Sequence, residues 1–423
     1  MRQLYTFLFY CSLPFIFLRL WRKGKKIPDY RLRWAERLGF IPDLSAKNTI
    51  WLHAVSMGEL IAARPLILGL RKQYPDKTLV ITTTTVSGSN LAQQYVSDKI
   101  YHCYLPYDLP GPIHRFLDRV RPTQAIIMET ELWPNLLHAT AKRSIPVLLA
   151  NARLSDISMK SYLRIVWLTR EMMANITCIA AQTQDYANRF IKLGAKPEQI
   201  RVMGNIKFDV PVPTQLVEKG KALRHDWALT QRPVVIAAST HHGEEEIVLQ
   251  AFKNLLTTHH DALLIIVPRH PERFDEVAVL CEKQGHQVIR RSQNQPCTAT
   301  TQIFLGDSMG ELFLYYAMAD VAFVGGSFVS VGGHNPLEPA AVCLPVLTGT
   351  QIFNFTEIYA LMEKAGAAME VQDAAALADA WHILLADAAR CEQMGKAGEK
   401  VVVENKGAVE KHLNYLAETK KHH

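Results

Sequence analysis

DVAFVGGSFVSVGGHNPLEP, residues 320–339, reads as a buried strand over 321–324, a loop with glycines at 325, 326, 332 and 333, and the start of a helix. Asn335 stands where an N-cap would, Pro336 at the first helical position, and Glu338 two residues further in. Backbone amides and a helix N-terminus would then lie beside a carboxylate, a combination that holds a phosphate and a ribose diol together. Asn335 and Glu338 also have the spacing of a capping box, which needs no ligand. Taken alone, the stretch supports both readings, and its surroundings have to decide.

Outward from it, short apolar runs alternate with helical patterns. Strands are expected at 49–54, 78–83, 100–105, 124–128, 146–150, 177–181 and 200–203, with helices at 59–73, 133–143 and 185–193 between them. A second series covers 233–238, 262–267, 287–290, 301–305, 321–324 and 344–347. Alternation of this kind predicts α/β architecture, with two parallel, doubly wound Rossmann-like domains facing a cleft at the carboxyl ends of their strands. Among enzymes that plan points to a GT-B glycosyltransferase. No GxGxxG follows the first strand of either half and no GxxxxGK[ST] occurs, which argues against dinucleotide oxidoreductases and P-loop enzymes.

The 423 residues suffice for two or three domains, and 48% hydrophobic with 21% charged content is ordinary for a globular chain. Seven scattered cysteines without a CxxC pair suggest neither a zinc cluster nor a disulfide framework. The net charge of +7 is unevenly spread. QLYTFLFYCSLPFIFL, residues 3–18, is uncharged, and Arg19, Arg22, Lys23, Lys25, Lys26, Arg31, Arg33 and Arg37 follow it. The pattern predicts a membrane anchor over 1–22 whose basic flank continues to about 37 and faces anionic headgroups on the cytoplasmic side. Pro14 interrupts the run, leaving a tilted, re-entrant or monotopic anchor open beside a full crossing. The remaining divisions are an N-terminal domain at 38–208, a linker at 209–232, a C-terminal nucleotide-binding domain at 233–373, and helices at 374–423 that pack back on the first half.

Several strand ends carry candidate chemistry. In HAVSMGEL, Ser56 and Glu59 are spaced as a helix cap, while the functional reading makes Glu59 a general base. A helix N-terminus should lower its basicity. METELWPN sets Glu129 and Glu131 two apart, on one face if the strand continues. No DxD occurs, so a metal-independent site is favoured. GNIKFD supplies Lys207, and VPRHPER supplies Arg269 at the end of an apolar strand, with Arg273 fitting a solvated surface. GDSMGEL places Ser308 and Glu311 around Gly310, a further turn able to cradle a phosphate or a base.

Together HAVSMGE, METELWPN, NARLS, GNIKFD, ASTHHGEEE, VPRHPER, GDSMGEL and GGSFVSVGGHNPLEP resemble the Kdo transferases of Gram-negative bacteria, over essentially the whole chain. The resemblance implies a GT-B enzyme on the cytoplasmic face of the inner membrane. Such an enzyme moves 3-deoxy-D-manno-octulosonic acid (Kdo) from CMP-Kdo to lipid IVA or a related lipid A precursor, with inversion. It needs no metal and no cofactor, and has no nucleic acid partner. The resemblance makes Glu59 the base and puts Glu129 and Lys207 at the reacting centre as stabilisers of transition-state charge. It assigns CMP to Pro268, Arg269, Met309, Gly310, Glu311, Asn335, Pro336, Leu337 and Glu338. A GT-B-fold nucleotide-sugar epimerase or a membrane-tethered nucleotide-sugar binding protein are the alternatives.

Overall fold

The computed structural model describes residues 1–419, which fall into two compact units. The first comprises Met1–Asp209 together with the segment from Lys406 onward, and the second Val210–Asn405. In the first unit β1 (Thr49–His53), β2 (Thr78–Thr83), β3 (Ile100–Tyr104), β4 (Pro122–Met128), β5 (Val147–Ala152), β6 (Cys178–Ala181) and β7 (Ile200–Val202) form one sheet in the order β3-β2-β1-β4-β5-β6-β7. Every pairing is parallel. The apolar runs are explained by burial on both faces. Trp51, Ile127 and Leu149 enter one core, whereas their neighbours Leu52, Ile126 and Leu148 enter the other, as the two-residue period of a strand requires.

The second unit repeats the plan with β8 (Val234–Thr240), β9 (Leu263–Pro268), β10 (Val288–Arg290), β11 (Ile303–Leu305), β12 (Val321–Val324), β13 (Val346–Thr348) and β14 (Ala368–Glu370), again all parallel. Their order is β10-β11-β9-β8-β12-β13-β14. The order in which successive strands are laid across the sheet reverses between β1 and β4 in the first sheet and between β8 and β12 in the second. Those are the switch points outside which doubly wound sheets bind ligands. The three-residue edge strand β14 was not expected from the sequence.

The connections carry structure of their own, and the C-terminal helices divide between the two units rather than all joining the first. The linker at 209–232 carries one helix, Thr214–Asp226, which packs on helix Leu312–Met318 so closely that a side chain in place of Gly220 would strike the Leu314 carbonyl. Of the C-terminal helices, Ala374–Ala386 and Ala388–Asn405 belong to the second unit, with Trp381 fully buried in its core. Only Ala408–Thr419 joins the first, setting Leu413 against Gly69 of helix Met57–Gln73. Asp209 closes that junction by accepting the N–H groups of Gly407 and Val409 at 2.6 and 2.5 Å.

Helix Arg2–Lys23 runs through Pro14 without a break and contains no buried residue. Its basic flank is less uniform than its composition. Arg37 is buried, donating to the Thr84 carbonyl at 3.0 Å and lying over the Tyr104 ring. Arg33 adopts a left-handed backbone conformation and pairs with Glu36 at 2.7 Å. These two arginines hold the fold together, so the flank open to headgroups is the earlier cluster.

Candidate active site

At the end of β1 the cap and the carboxylate are one device. Ser56 Oγ caps the helix by accepting the Glu59 N–H at 3.3 Å, and the Glu59 side chain reaches back past the cap residue to accept the Val55 N–H at 2.9 Å. The expected acidification by the helix end is outweighed. Burial pushes the Glu59 carboxyl up to about 8; the Val55 hydrogen bond opposes it, and the charges of Glu129 and Glu131 add to it. A carboxyl group held there gives up its own proton only toward pH 8, and the carboxylate then formed is a stronger base than an ordinary one.

Glu129 and Glu131 lie after β4, the strand beside β1. They do not continue it, since Glu129 takes φ 56° and turns the chain. Strand alternation is therefore not what gathers these carboxylates; the turn is. Glu129 is buried and accepts Arg153 Nε at 2.7 Å, while Glu131 accepts the Trp133 indole N–H at 2.9 Å. Burial raises the Glu131 carboxyl as well. Lys207 sits in a short helical turn after β7 that is fixed by Asn151, whose Oδ1 accepts the Ile206 N–H at 3.0 Å. Burial lowers the Lys207 ammonium, while Glu129 raises it and Arg153 lowers it further. Glu59, Glu129, Glu131, Lys207 and Arg153 thus form one electrostatic group beyond the carboxyl ends of β1, β4, β7 and β5. Arg153, from NARLS, was quoted in the sequence but given no role; its place straight after β5 was the available signal.

In the second unit, the glycine-rich loop does not offer bare amides. The fully buried Glu244 carboxylate accepts the N–H groups of Gly326, Ser327 and Phe328 at 2.6, 3.0 and 2.9 Å, and that of His241 at 2.9 Å. Glu244 comes from ASTHHGEEE after β8, so β8 and β12 are tied together at the switch point from within. The helix that follows is only Leu337–Ala340, and no complete capping box forms. Asn335 Oδ1 accepts the Leu337 N–H at 3.2 Å, and Asn335 Nδ2 approaches Glu338 Oε1 at 3.5 Å. The side chains of Pro336 and Leu337 point inward and are buried, leaving Asn335 and Glu338 as the polar groups of this turn.

Pro268 ends β9, and the N–H of Arg269 donates to the Thr240 carbonyl at 3.0 Å, placing Arg269 at the same strand ends. Around it cluster three imidazoles: that of His270, which VPRHPER supplies beside Arg269, and those of His241 and His334, which carried no assignment in the sequence. His241 and His334 approach through Nε2 at 2.8 Å with stacked rings, and His270 stands edge-on to His241. Burial, then Arg269, His241 and His270, lower His334 to about 3, and burial with His270, Arg269 and Arg273 lowers His241 to about 4. Arg273 is no solvated surface residue: it forms a two-pronged pair with buried Glu245 at 2.7 and 3.0 Å. The turn after β11 has Met309 exposed and Gly310 at φ 81°. Glu311 is clamped by Arg291 through Nε and Nη2, both at 3.0 Å, and by Ser308 Oγ at 2.7 Å.

Residues 32–210 match the family described as 3-Deoxy-D-manno-octulosonic-acid transferase (kdotransferase), and residues 234–401 match Glycosyl transferases group 1. The chain is 44% identical to a 3-deoxy-D-manno-octulosonic acid transferase of Haemophilus influenzae, over 98% of both chains. It is 35% identical to one of Bordetella pertussis, again over 98% of both. Among solved structures it shares its fold with a glycosyltransferase from Rickettsia africae, with TM-score 0.52 at 15% identity over 88% of this chain and 98% of that one. A UDP-GlcNAc 2-epimerase from Neisseria meningitidis gives TM-score 0.52 at 16% identity over 84% and 99%. At such identities these two likenesses speak for the fold alone.

Proposed function

Because this chain belongs to the 3-deoxy-D-manno-octulosonic acid (Kdo) transferase family, we propose that it moves Kdo from CMP-Kdo to a lipid A precursor such as lipid IVA, with inversion and without a metal ion. The observation that carries the reading is the elevated, half-buried Glu59 carboxyl after β1, in the field of two further carboxylates. A sugar hydroxyl is a poor nucleophile until a base removes its proton, and Glu59 is tuned for that step. The oxygen then bonds to the anomeric carbon as the bond to the CMP phosphate breaks. One displacement inverts the centre, and the proton ends on Glu59.

Lys207 and Arg153, balanced by Glu129, supply fixed positive charge for the anion that develops, the task a metal would otherwise perform. The second unit holds the leaving nucleotide at Pro268 and Arg269, at the Met309, Gly310 and Glu311 turn, and at Asn335 through Glu338. Since Glu311 is already paired with Arg291, its turn contributes backbone groups and shape. The anchor assignment draws on helix Arg2–Lys23, which is long and apolar enough to enter a membrane and has no buried residue. Together with Arg19, Arg22, Lys23, Lys25 and Lys26 it would hold the enzyme at the cytoplasmic face of the inner membrane.

The test is incubation of the full chain with CMP-Kdo and lipid IVA in EDTA, with products weighed by mass spectrometry. The reading expects acceptor heavier by whole Kdo residues. Unaltered acceptor, or transfer only after metal is restored, would contradict it.

A further inference from the structure

Resting on that reading of the function, we propose that His412 and Asp209 are positioning residues, through which the last helix of the first unit fixes the turn that carries Lys207. Helix Ala408–Thr419 reaches that turn by two routes. One is direct. Asp209 stands two residues beyond Lys207 in GNIKFD, and its carboxylate accepts the N–H groups of Gly407 and Val409 at 2.6 and 2.5 Å, tying the far end of the turn to the start of the helix. The other passes through Asn151. His412 is fully buried in the first turns of the same helix, and its Nδ1 meets the Ala408 carbonyl at 2.6 Å, so Nδ1 carries the proton. Nε2 is then a lone pair, which accepts the Asn151 N–H at 3.1 Å. Asn151 Oδ1 accepts the N–H of Ile206, the residue before Lys207, at 3.0 Å. The two routes close a ring of hydrogen bonds with Lys207 between its fixed points.

Asn151 can relay a displacement because it has little freedom of its own. It is fully buried, holds a left-handed backbone at φ 52°, and its carbonyl accepts Gln182 Nε2 at 2.9 Å. With its N–H, carbonyl and Oδ1 all bonded, a shift of the ring at His412 passes to Ile206. Two residues further on, Arg153 grips Glu129, the carboxylate whose charge acts on Lys207. The turn itself, Ile206–Phe208, spans three residues and is too short to hold its own shape. A charge that stabilises a transition state has to be in place before the reaction, and the long lysine side chain delivers it only where the backbone beneath is fixed. The chain leaves the first unit after Asp209 and returns at Lys406, so Lys207 is held only once the last segment has folded back. His412 and Asp209 act through Lys207 and take no part in bond making.

The experiment uses the full chain and three variants. His412→Phe keeps the bulk of the ring and loses both nitrogens, His412→Gln keeps an acceptor and a donor, and Asp209→Asn sets a donor against two N–H groups. In His412→Phe and Asp209→Asn, kcat for transfer should fall about tenfold, the size of one lost buried hydrogen bond, with donor KM and CMP affinity within about twofold of wild type. His412→Gln should recover most of the rate. In a Lys207→Met background the same substitutions should cost less than about twofold, because the group they act through is gone. A second readout needs no turnover: labelling of Lys207 by acetic anhydride, followed by mass spectrometry across pH. Burial is the main cause that holds the Lys207 ammonium low, so loosening the turn should move its labelling midpoint upward in His412→Phe and Asp209→Asn, and leave it in place in His412→Gln. A rate loss that is as large without Lys207 as with it would overturn the proposal, and so would an unmoved Lys207 midpoint in the folded variants. If His412→Phe fails to fold, Asp209→Asn decides by the same readouts. If the wild-type chain moved no sugar, the functional reading would fail, while the labelling would still show whether the last helix holds Lys207.

Discussion

The Glu244 carboxylate accepts the backbone N–H of Gly326 at 2.6 Å, and with its other three amide partners it fixes the glycine-rich loop from inside the second unit. The amides that the sequence offers to a phosphate are already occupied by a side chain from the neighbouring strand end. The loop is therefore a rigid floor, and the nucleotide is left to the groups around it. Each Glu244 oxygen serves two donors, so Glu244→Gln turns one oxygen into an N–H donor and leaves two buried amides facing it. Stability of the second unit should fall by about 2–4 kcal/mol in urea titration. CMP affinity should fall with it, and a change below about 0.5 kcal/mol would show that the amides find other partners.

Arg291 grips Glu311 with two parallel contacts that lysine cannot reproduce. Arg291→Lys should loosen the turn at Gly310 and raise the donor KM about fivefold, equivalent to about 1 kcal/mol, with kcat little altered. A fall in kcat at unchanged KM would place this turn in the chemical step instead.

Glu59 sets the pH dependence. Its carboxyl is raised from the usual 4.5 to about 8, so the protonated form, which cannot act as a base, predominates below that pH. The profile of kcat/KM should therefore rise up to about pH 8 and level above it. Removing one like charge with Glu131→Gln should move that limb to lower pH, and movement the other way would contradict the electrostatic account. The same group opposes stability as pH rises: the folded chain keeps a proton that the unfolded chain releases above about 4.5, so this contribution is lost as pH climbs to about 8.

His412 gives the opposite sign at the junction of the last helix. Its Nε2 accepts the Asn151 N–H at 3.1 Å and its Nδ1 meets the Ala408 carbonyl at 2.6 Å, so the buried ring has to be neutral. Burial lowers it to about 4 from 6.5. The unfolded chain then binds the proton first, and stability should fall by about 3 kcal/mol as pH drops through that interval. Hydrogen exchange in Ala408–Thr419 should show the loss, and His412→Phe should flatten it.

Every strand but β14 was legible because Val, Ile and Leu runs buried on two faces leave few other structures available, whereas the short edge segment Ala368–Glu370 has no such run. Glu59 was legible as a cap and a candidate base, but its basicity was not, because it depends on burial and on Glu129 and Glu131, which are distant in the chain. The same limit hid Glu244: a glutamate in GEEE reads as the acidic first turn of a helix, and only the β8–β12 pairing brings it under the glycines. Arg33 and Arg37 misled in the other direction. Composition groups them with the membrane flank, whereas tertiary contacts with Glu36, Thr84 and Tyr104 take them into the fold.

The central claim is that Glu59 takes the acceptor's proton, and Glu59→Gln tests it with the capping geometry largely kept. Single-turnover transfer from CMP-Kdo to lipid IVA should slow by about 10²–10⁴-fold while CMP affinity stays at the wild-type value. Full transfer by Glu59→Gln, with CMP bound as before, would contradict the account.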